Sequence, residues 1–522
     1  MTNLAGSPGE PAPHLEPREP PSLVRNTAFN AGASVVSLAV GLVLSPVLLA
    51  TLGLERFGLW SLLWAITGSL GLVDLRVAYA LTPLMAMAWA RGERRRAAGF
   101  ITTGLAFYAA LGLVLVGVAV IGVRLPALVA WIPEPLREEG RFALAAAVAV
   151  FALGSVTSVF TGGLHALQRF DLAARITMVA TGLRGLGLVA VALAGGGLRA
   201  PLLVEGAIAC GQLLVTGQAV RRLLPDLRLV RAPEPGAFRE LVAFGGKMQV
   251  AHAAHLVSLH ADKLFLSAFL GLAAVAYYEL GQKIAYVMRG LPLLLISAAM
   301  PVVSTMEATG ERERLWQFYV ASVRAVVFAA TPLLVFTVTG AGHILTAWAA
   351  VDALEARQAV WLLALGYFFY LVSVSAGVTS VGMNKPELEM RRSLLAGTLN
   401  LLGSAVLIPA LGFPGGPLAT AVSLAAGAGY LTRRLSAEFG RPASATLGVL
   451  RRPVALALPA AAGALLVLSV TDGGRGLAAV GLAGAALVIG AAYLWLGVRD
   501  GVIPPDWLRS IPLRPRRSAT RP

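Results

Sequence analysis

Long apolar runs alternate with short polar, glycine- or proline-marked breaks along almost the whole chain. Fourteen such runs stand out: Asn26–Leu52, Phe57–Ala90, Ala97–Val123, Phe142–Leu164, Leu172–Ala194, Leu202–Val220, Leu241–Leu270, Ala273–Val303, Val320–Leu345, Ala359–Val381, Leu394–Leu411, Pro417–Leu431, Val454–Val470 and Leu477–Val498. Most approach or exceed the roughly 20 residues that carry a helix across a hydrocarbon core. The pattern predicts an all-α polytopic membrane protein with about fourteen transmembrane helices. Phe57–Ala90 is over-long, roughly 50 Å as a straight helix. It contains Pro83, so a kink or a projection from the membrane is expected there. Pro46, Pro292 and Pro332 also interrupt spans and free backbone carbonyls.

Composition agrees. Of 522 residues, 57% are hydrophobic and 13% charged, which excludes a soluble globular protein. The net charge of +16 would suit a nucleic-acid partner, but its distribution argues otherwise. With a cytoplasmic N-terminus, thirty of the 43 basic residues fall in inner segments and seven in outer loops, with six inside the membrane. That is the positive-inside bias, and it sets basic side chains beside anionic headgroups. Both termini are then cytoplasmic, in a bacterial cytoplasmic membrane. Arginine, alanine and glycine abound while lysine is scarce, the usage of a high-GC bacterial gene. Cys210, the sole cysteine, excludes an internal disulfide and reads as a small apolar residue. The Pro-rich start lacks the features of a cleavable signal, so the first span is expected to act as an uncleaved insertion signal.

A faint repeat divides the chain. Leu52-Gly53-Leu54 precedes Phe57, Gly58 and Trp60; Leu270-Gly271-Leu272 precedes Val275, Ala276 and Tyr278 at matching positions. Gly163 and Gly382 open basic inner turns at nearly the same offset from each other. Both pairs keep membrane sidedness, so the halves are expected to be parallel repeats about an axis along the membrane normal. The expected units are a disordered tail 1–24, a six-helix lobe 25–220, a cytoplasmic linker 221–240, a second six-helix lobe 241–434, two extra helices 435–498 and a basic tail 499–522.

The candidate chemistry lies inside the membrane. His252–Pro301 forms two spans joined near Gly271, and both carry charge: Asp262 and Lys263, then Glu279, Lys283 and Arg289. At about 100° per residue, His252, His255, Asp262 and Lys263 share one side of their helix. Glu279 and Lys283 are i, i+4 with the acid first, the favourable order. Intramembrane charges usually face a bundle interior or a water-filled cavity, so a polar seam lining a cavity is expected; a buried ion-pair lock between two helices is the other reading. The remaining intramembrane cations are Arg76, Arg184 and Arg324, and the remaining acids Asp74 and Glu205. His252 and His255, with His260 nearby, suit polar lining or proton coupling better than a metal, since no further ligand stands at matched depth. No metal or cofactor is expected.

The chain resembles the polysaccharide biosynthesis proteins that flip lipid-linked oligosaccharides of O-antigen type, within the multidrug/oligosaccharidyl-lipid/polysaccharide exporter superfamily. The resemblance rests on Asn26-x-x-x-Asn30-x-Gly32, Leu52-Gly53 with Phe57-Gly58, Gly71-x-x-Asp74, Asp262 before Leu270-Gly271, Tyr277-Tyr278 and Pro301. Arg76 departs from it, standing where glycine is common. The resemblance implies alternating access between two lobes and a polyprenyl-diphosphate-linked glycan as substrate. Cationic donors suit a diphosphate. Arg184, Lys283 and Arg289 are therefore expected to contact it, with Arg76 and Arg324 nearer the inner gate. Asp74, His252, His255, Asp262, Lys263 and Glu279 are the candidate polar network for coupling. Membrane lipids, and a polysaccharide polymerase or glycosyltransferases, are the expected partners of a monomer.

Two other functions remain open. An ion-coupled exporter of cationic drugs, in the same superfamily, would want an acidic cavity, and the excess here is cationic. A membrane-embedded polymerase or ligase would want a sizeable outer domain, and the longest outer loop, Arg124 to Arg141, is too short to form one. No phosphate loop, nucleophile triad or paired-carboxylate site outside the membrane supports an enzyme.

Overall fold

A computed structural model describes residues 23–224, 235–296, 299–471 and 473–499, with the side chains of some helical residues among them left out. Among these the chain is all helix and turn. The first lobe comprises α1 Leu23–Leu52, α2 Leu54–Ser69, α3 Val77–Ala90, α4 Arg94–Gly122, the single turn α5 Pro126–Val129, α6 Arg137–Ala166, α7 Phe170–Leu193 and α8 Arg199–Leu223. The second comprises α9 Pro235–Leu270, α10 Leu272–Leu293, α11 Ala299–Ala308, α12 Arg312–Thr339, α13 Ala341–Ala349, α14 Leu354–Gly382, α15 Pro386–Leu411 and α16 Gly415–Glu438. The short α17 Ala443–Leu447 leads to α18 Arg451–Ser469 and α19 Arg475–Arg499, which pack on each other and on α12 and α13. Helices α8 and α9 run into the expected linker from both sides.

Among the described residues nine helices are long and apolar enough to cross a membrane, or ten if the bent pair α2–α3 counts as one span. The protein is thus a multi-pass membrane protein, while the expected total of fourteen exceeds the spans that meet this criterion. Helices α9 and α10 are not among the nine; they carry Lys263, Glu279 and Lys283.

The over-long second run does break, but not at Pro83, which sits inside α3. The bend of 50° falls at residues 73–76, where Leu75 and Arg76 both take left-handed backbone, φ 51° and 48°. For residues with a β-carbon that conformation costs about 1–2 kcal/mol each, so tertiary contacts must hold it.

The repeat is visible in the backbone. Gly53 and Gly271, equivalent in the repeat, are the one-residue joints α1–α2 and α9–α10, at φ 79° and 84°. A glycine tolerates that left-handed joint where other residues are strained. Gly92 and Gly310 form equivalent joints before α4 and α12, at φ 78° and 72°. Each is followed by the same ion pair, Arg96 to Glu93 at 3.1 Å and Arg314 to Glu311 at 2.7 Å.

Among the described residues two large apolar cores result, with two small ones where α18 and α19 pack on α12. One lies within the first lobe, around Leu81, Met85, Phe100, Ile101, Tyr108 and Val159, and includes Leu241 of α9. The other fills the second lobe and continues without a gap into Leu48, Phe57, Leu59 and Leu62 of α1 and α2. The lobes therefore share one core at the end carrying the glycine joints.

Candidate functional site

Glu279 is the hub of the polar seam. It projects from α10 between two lysines: Lys263 of α9 on Oε2, and Lys283 one turn along α10, 3.2 Å from Oε1. Ser61 of α2 donates to Oε2 at 2.9 Å, so the hub crosses from one lobe to the other. The lysines differ in access. The Lys263 side chain is 9% exposed and Lys283 30%. Lys263 neutralises Glu279 in the protein interior, while Lys283 faces open space.

That space is a cavity of about 330 Å³ between α1, α2, α7, α8, α9 and α10. Its polar walls are Ser45, Ser61, Arg184, Glu205, His260, Lys263, Glu279 and Lys283; Trp60 and Trp64 add aromatic faces. Arg184 Nε lies 3.0 Å from Glu205 Oε2, an ion pair whose angle is not that of a hydrogen bond. Arg184 is 35% exposed and Glu205 4%, so the carboxylate is sunk between α7 and α8 and the guanidinium reaches out of the wall. With three cations and two carboxylates the cavity is net cationic.

Arg184 also borders a second cavity, of about 530 Å³, inside the first lobe. Asp74 and Arg76 stand there beside hydroxyls of α6, and the Arg76 guanidinium lies 4.7 Å from the Tyr79 ring centre. This cavity faces the break between α2 and α3. The Tyr108 hydroxyl donates to Asp74 and accepts the Ala78 N–H at 3.0 Å, supplying the first turn of α3 with a partner. Across the lobes, Gln249 of α9 donates to the carbonyls of Gly71 and Leu72, at 3.0 and 2.7 Å. Non-helical backbone at membrane depth survives only where such groups are satisfied or a cavity wets them, and both conditions hold here.

The remaining sequence candidates lie elsewhere. Asp262, next to Lys263, is turned away from the inter-lobe cavity and fully buried in the second lobe. It accepts from Tyr278, Ser404, Thr420 and, at 3.1 Å, Asn400. Adjacent helical residues diverge by about 100°, which sends Lys263 to the cavity and Asp262 against α15 and α16. Arg289 lies in an aromatic cage, 4.7, 5.2 and 5.6 Å from the rings of Tyr286, Tyr367 and Tyr370, and borders neither cavity. Arg324 borders a separate cavity with Arg451 and Arg452. The side chains of His252, His255, Asn26 and Asn30 lie outside the described residues. Among the described residues no cluster of His, Cys, Asp or Glu could hold a metal. Ser61, Glu205 and His260 were not among the expected site residues; Ser61 could have been found, because it stands one repeat offset before Glu279.

The family model described as polysaccharide biosynthesis protein matches residues 23–307, more than half of the chain. The chain belongs to this family. A search of curated proteins returns no match. Among solved structures it is similar to the lipid II flippase MurJ in an inward closed conformation, at TM-score 0.68 and 14% identity, over 92% of this chain and all of that one. An inward-facing multidrug resistance MATE family transporter of the MOP superfamily matches at TM-score 0.60 and 13% identity, over 77% of this chain and 95% of that one. A MOP superfamily transporter from Pyrococcus furiosus, whose binding pocket is described as reversed in polarity, matches at TM-score 0.55 and 12% identity, over 80% and 95%. These likenesses establish a MurJ- and MATE-like fold.

Within this family member, tight contacts flank the inter-lobe cavity at both ends. At the glycine-joint end, Gly58 of α2 lies so close to Leu272 that a β-carbon would fall 2.0 Å from the Leu272 carbonyl oxygen. Trp348 of α13 donates to the Leu42 carbonyl of α1 at 2.8 Å at this end. At the opposite end, a β-carbon on Gly245 of α9 would fall 2.3 Å from the Leu75 carbonyl oxygen at the broken segment. There Arg96 of α4 grips Glu240 of α9 through both carboxylate oxygens, at 2.9 and 3.1 Å. Only glycine permits either backbone approach.

Proposed function

We propose that this protein flips a polyprenyl-diphosphate-linked oligosaccharide from the inner to the outer leaflet of the cytoplasmic membrane, by alternating access, for surface polysaccharide synthesis. The observation that carries the reading is the net cationic cavity between two lobes, flanked by separate glycine contacts at its two ends. A diphosphate needs charge-assisted donors at a site that excludes water. Arg184 and Lys283 meet that need: each is held by a carboxylate in this state, yet each is exposed to the cavity. A bound diphosphate would exchange these internal partners for its own oxygens. Trp60 and Trp64 offer faces on which sugar rings stack. Arg76, in the adjoining cavity, would take the anion as the opposite end opens.

In this reading the charge distribution of the loops makes the Gly58–Leu272 contact the outer gate and Gly245–Leu75 the inner one. The same distribution favours cytoplasmic termini. We infer that Asp262 serves coupling. Asp262 is a fully buried carboxylate held by four donors, and among the described residues no cation pairs with it, which leaves it a candidate to exchange a proton or a small cation during the cycle. The reading is of a transporter rather than an enzyme, with polymerase or glycosyltransferases acting before or after it. A cationic-drug exporter fits less well, because the cavity that would hold the drug has more cations than carboxylates.

The test is to delete the gene and sort lipid-linked intermediates by membrane face with mass spectrometry. A complete glycan-diphosphate lipid should accumulate on the cytoplasmic face and be cleared by the parent but not by Arg184→Gln or Lys283→Gln at equal protein level. Unaltered intermediates on deletion would end the reading. Completed units that reach the outer face unpolymerised would point to the enzyme class instead.

A further inference from the structure

The described cavities include one that the transport reading does not use. It has a volume of about 410 Å³ and lies on the outside of the second lobe, where α12 meets the segment leading into α18. Arg324, Arg451 and Arg452 line it together with Val320, Ala445 and Val449, and no carboxylate is among its walls. Among the described residues none of the three arginines makes an ion pair. All three side chains are exposed.

The three charges are held near one another by fixed contacts. Arg441 reaches Glu313 at 3.0 Å, and Arg312 donates to the Glu438 carbonyl at 2.6 Å, tying the segment after α16 to the start of α12. The Ser436 and Thr446 hydroxyls share a bond at 3.1 Å, and Tyr319 is fully buried in the turn before Arg324. Three cations lining one cavity with no acid among its walls are balanced by an external anion. The surroundings say which kind. Leu447, Val454 and Leu458 are 46%, 42% and 66% exposed beside the arginines. A soluble anion gains nothing from an apolar margin, whereas acyl chains do.

We propose that Arg324, Arg451 and Arg452 form a binding site for the phosphate headgroup of an anionic membrane phospholipid, with its acyl chains along Val454 and Leu458. Basic pockets between membrane helices hold such headgroups by charge and by bidentate guanidinium–phosphate bonds. The site is separate from the inter-lobe cavity and does not depend on the identity of the cargo. Because it bridges α12 of the second lobe and α18, a bound lipid would fasten the two C-terminal helices to the moving lobe.

The full-length protein, purified in detergent and washed of loosely held lipid, should retain phosphatidylglycerol over phosphatidylethanolamine by roughly 10-fold or more in native mass spectrometry. The triple variant R324Q/R451Q/R452Q should lose that preference, and R324K/R451K/R452K should keep part of it. If the triple glutamine variant does not fold, R324Q alone should still lower the preference severalfold. Retention by the glutamine variants equal to that of the parent overturns the proposal. So does displacement of phosphatidylglycerol by inorganic phosphate, which would make this a simple anion site.

Discussion

Replacing Gly58 by alanine adds one carbon at the glycine-joint end of the cavity, and its effect can be worked from distances. The new β-carbon would sit 2.0 Å from the Leu272 carbonyl oxygen, where ordinary contact begins at 3.4 Å. The two backbones must therefore part until that gap is made up. Neither is a flexible side-chain end, so α2 and α10 must move as units. Overpacking of this kind costs about 1–3 kcal/mol, which shifts a two-state equilibrium by roughly 5- to 150-fold. The cost falls on the state in which this end is closed, so Gly58→Ala favours opening here. Gly245→Ala does the reverse, since its β-carbon would meet the Leu75 carbonyl at 2.3 Å. The assay uses a cysteine at Ala65, which lines the cavity and is 1% exposed, in a Cys210→Ala background. A membrane-impermeant maleimide should label the reporter faster from outside in Gly58→Ala and faster from inside in Gly245→Ala. Labelling of Gly58→Ala at the parent rate, or faster from both sides alike, would refute the gate assignment.

Other outcomes follow from the same geometry. Lys263→Met should lower the melting temperature in detergent far more than Lys283→Met, because breaking a buried ion pair costs about 3–5 kcal/mol and only Lys263 is deeply buried; equal losses would count against the hub. Tyr108→Phe leaves Asp74 and the Ala78 N–H without their shared partner, at about 1–3 kcal/mol, so hydrogen exchange should quicken at residues 73–78; unchanged exchange there would show that the break is held by other contacts. Asp262→Asn should preserve folding but abolish the response of flipping to ion gradients in proteoliposomes, and a retained response would remove Asp262 from coupling.

How much of this was legible in the sequence depended on the range of the interaction. The multi-pass helical character and the hairpins were, because apolar length and glycine joints are local; the count of fourteen was not, since helices such as α9 and α10 carry too much charge to stand out as spans. The i, i+4 relation of Glu279 and Lys283 was local too, and the two are paired at 3.2 Å. The split between Asp262 and Lys263 was not legible, since helical phase groups neighbours loosely and packing against α15 and α16 decides which one is buried. The second run breaks not at Pro83, its one proline, but at residues 73–76. Leu75 and Arg76 have no intrinsic reason to turn left-handed. They are held beside a segment tied by Tyr108, 34 residues from Asp74, and Gln249, 178 residues from Gly71. Arg324 reads as a residue near the inner gate because it is one of few intramembrane cations, whereas its neighbours come from the C-terminal segment that no repeat relates to it.

The repeat also explains where the charge of the cavity sits. Residues at equivalent positions meet across a two-fold axis, and Ser61 and Glu279, 218 residues apart, are hydrogen bonded at 2.9 Å. By the same offset Ser45 corresponds to Lys263 and Ala65 to Lys283, and all of these line the inter-lobe cavity. An axis relating the repeats would therefore run through it. Strict symmetry would put two carboxylates within hydrogen-bonding distance at the hub, an arrangement in which both cannot stay ionised. The chain avoids this by keeping small neutral residues on the first lobe and the Lys263–Glu279–Lys283 triad on the second. The first lobe contributes its charge from α7 and α8 instead, as Arg184 and Glu205, away from the axis. Two half-sites of different chemistry thus face each other across the cavity. An amphiphile with a charged phosphate group and a polar glycan, the cargo proposed above, would present a matching asymmetry, and a rocking of the lobes about an axis in the membrane plane would expose it to either side without requiring either half-site to leave its own lobe.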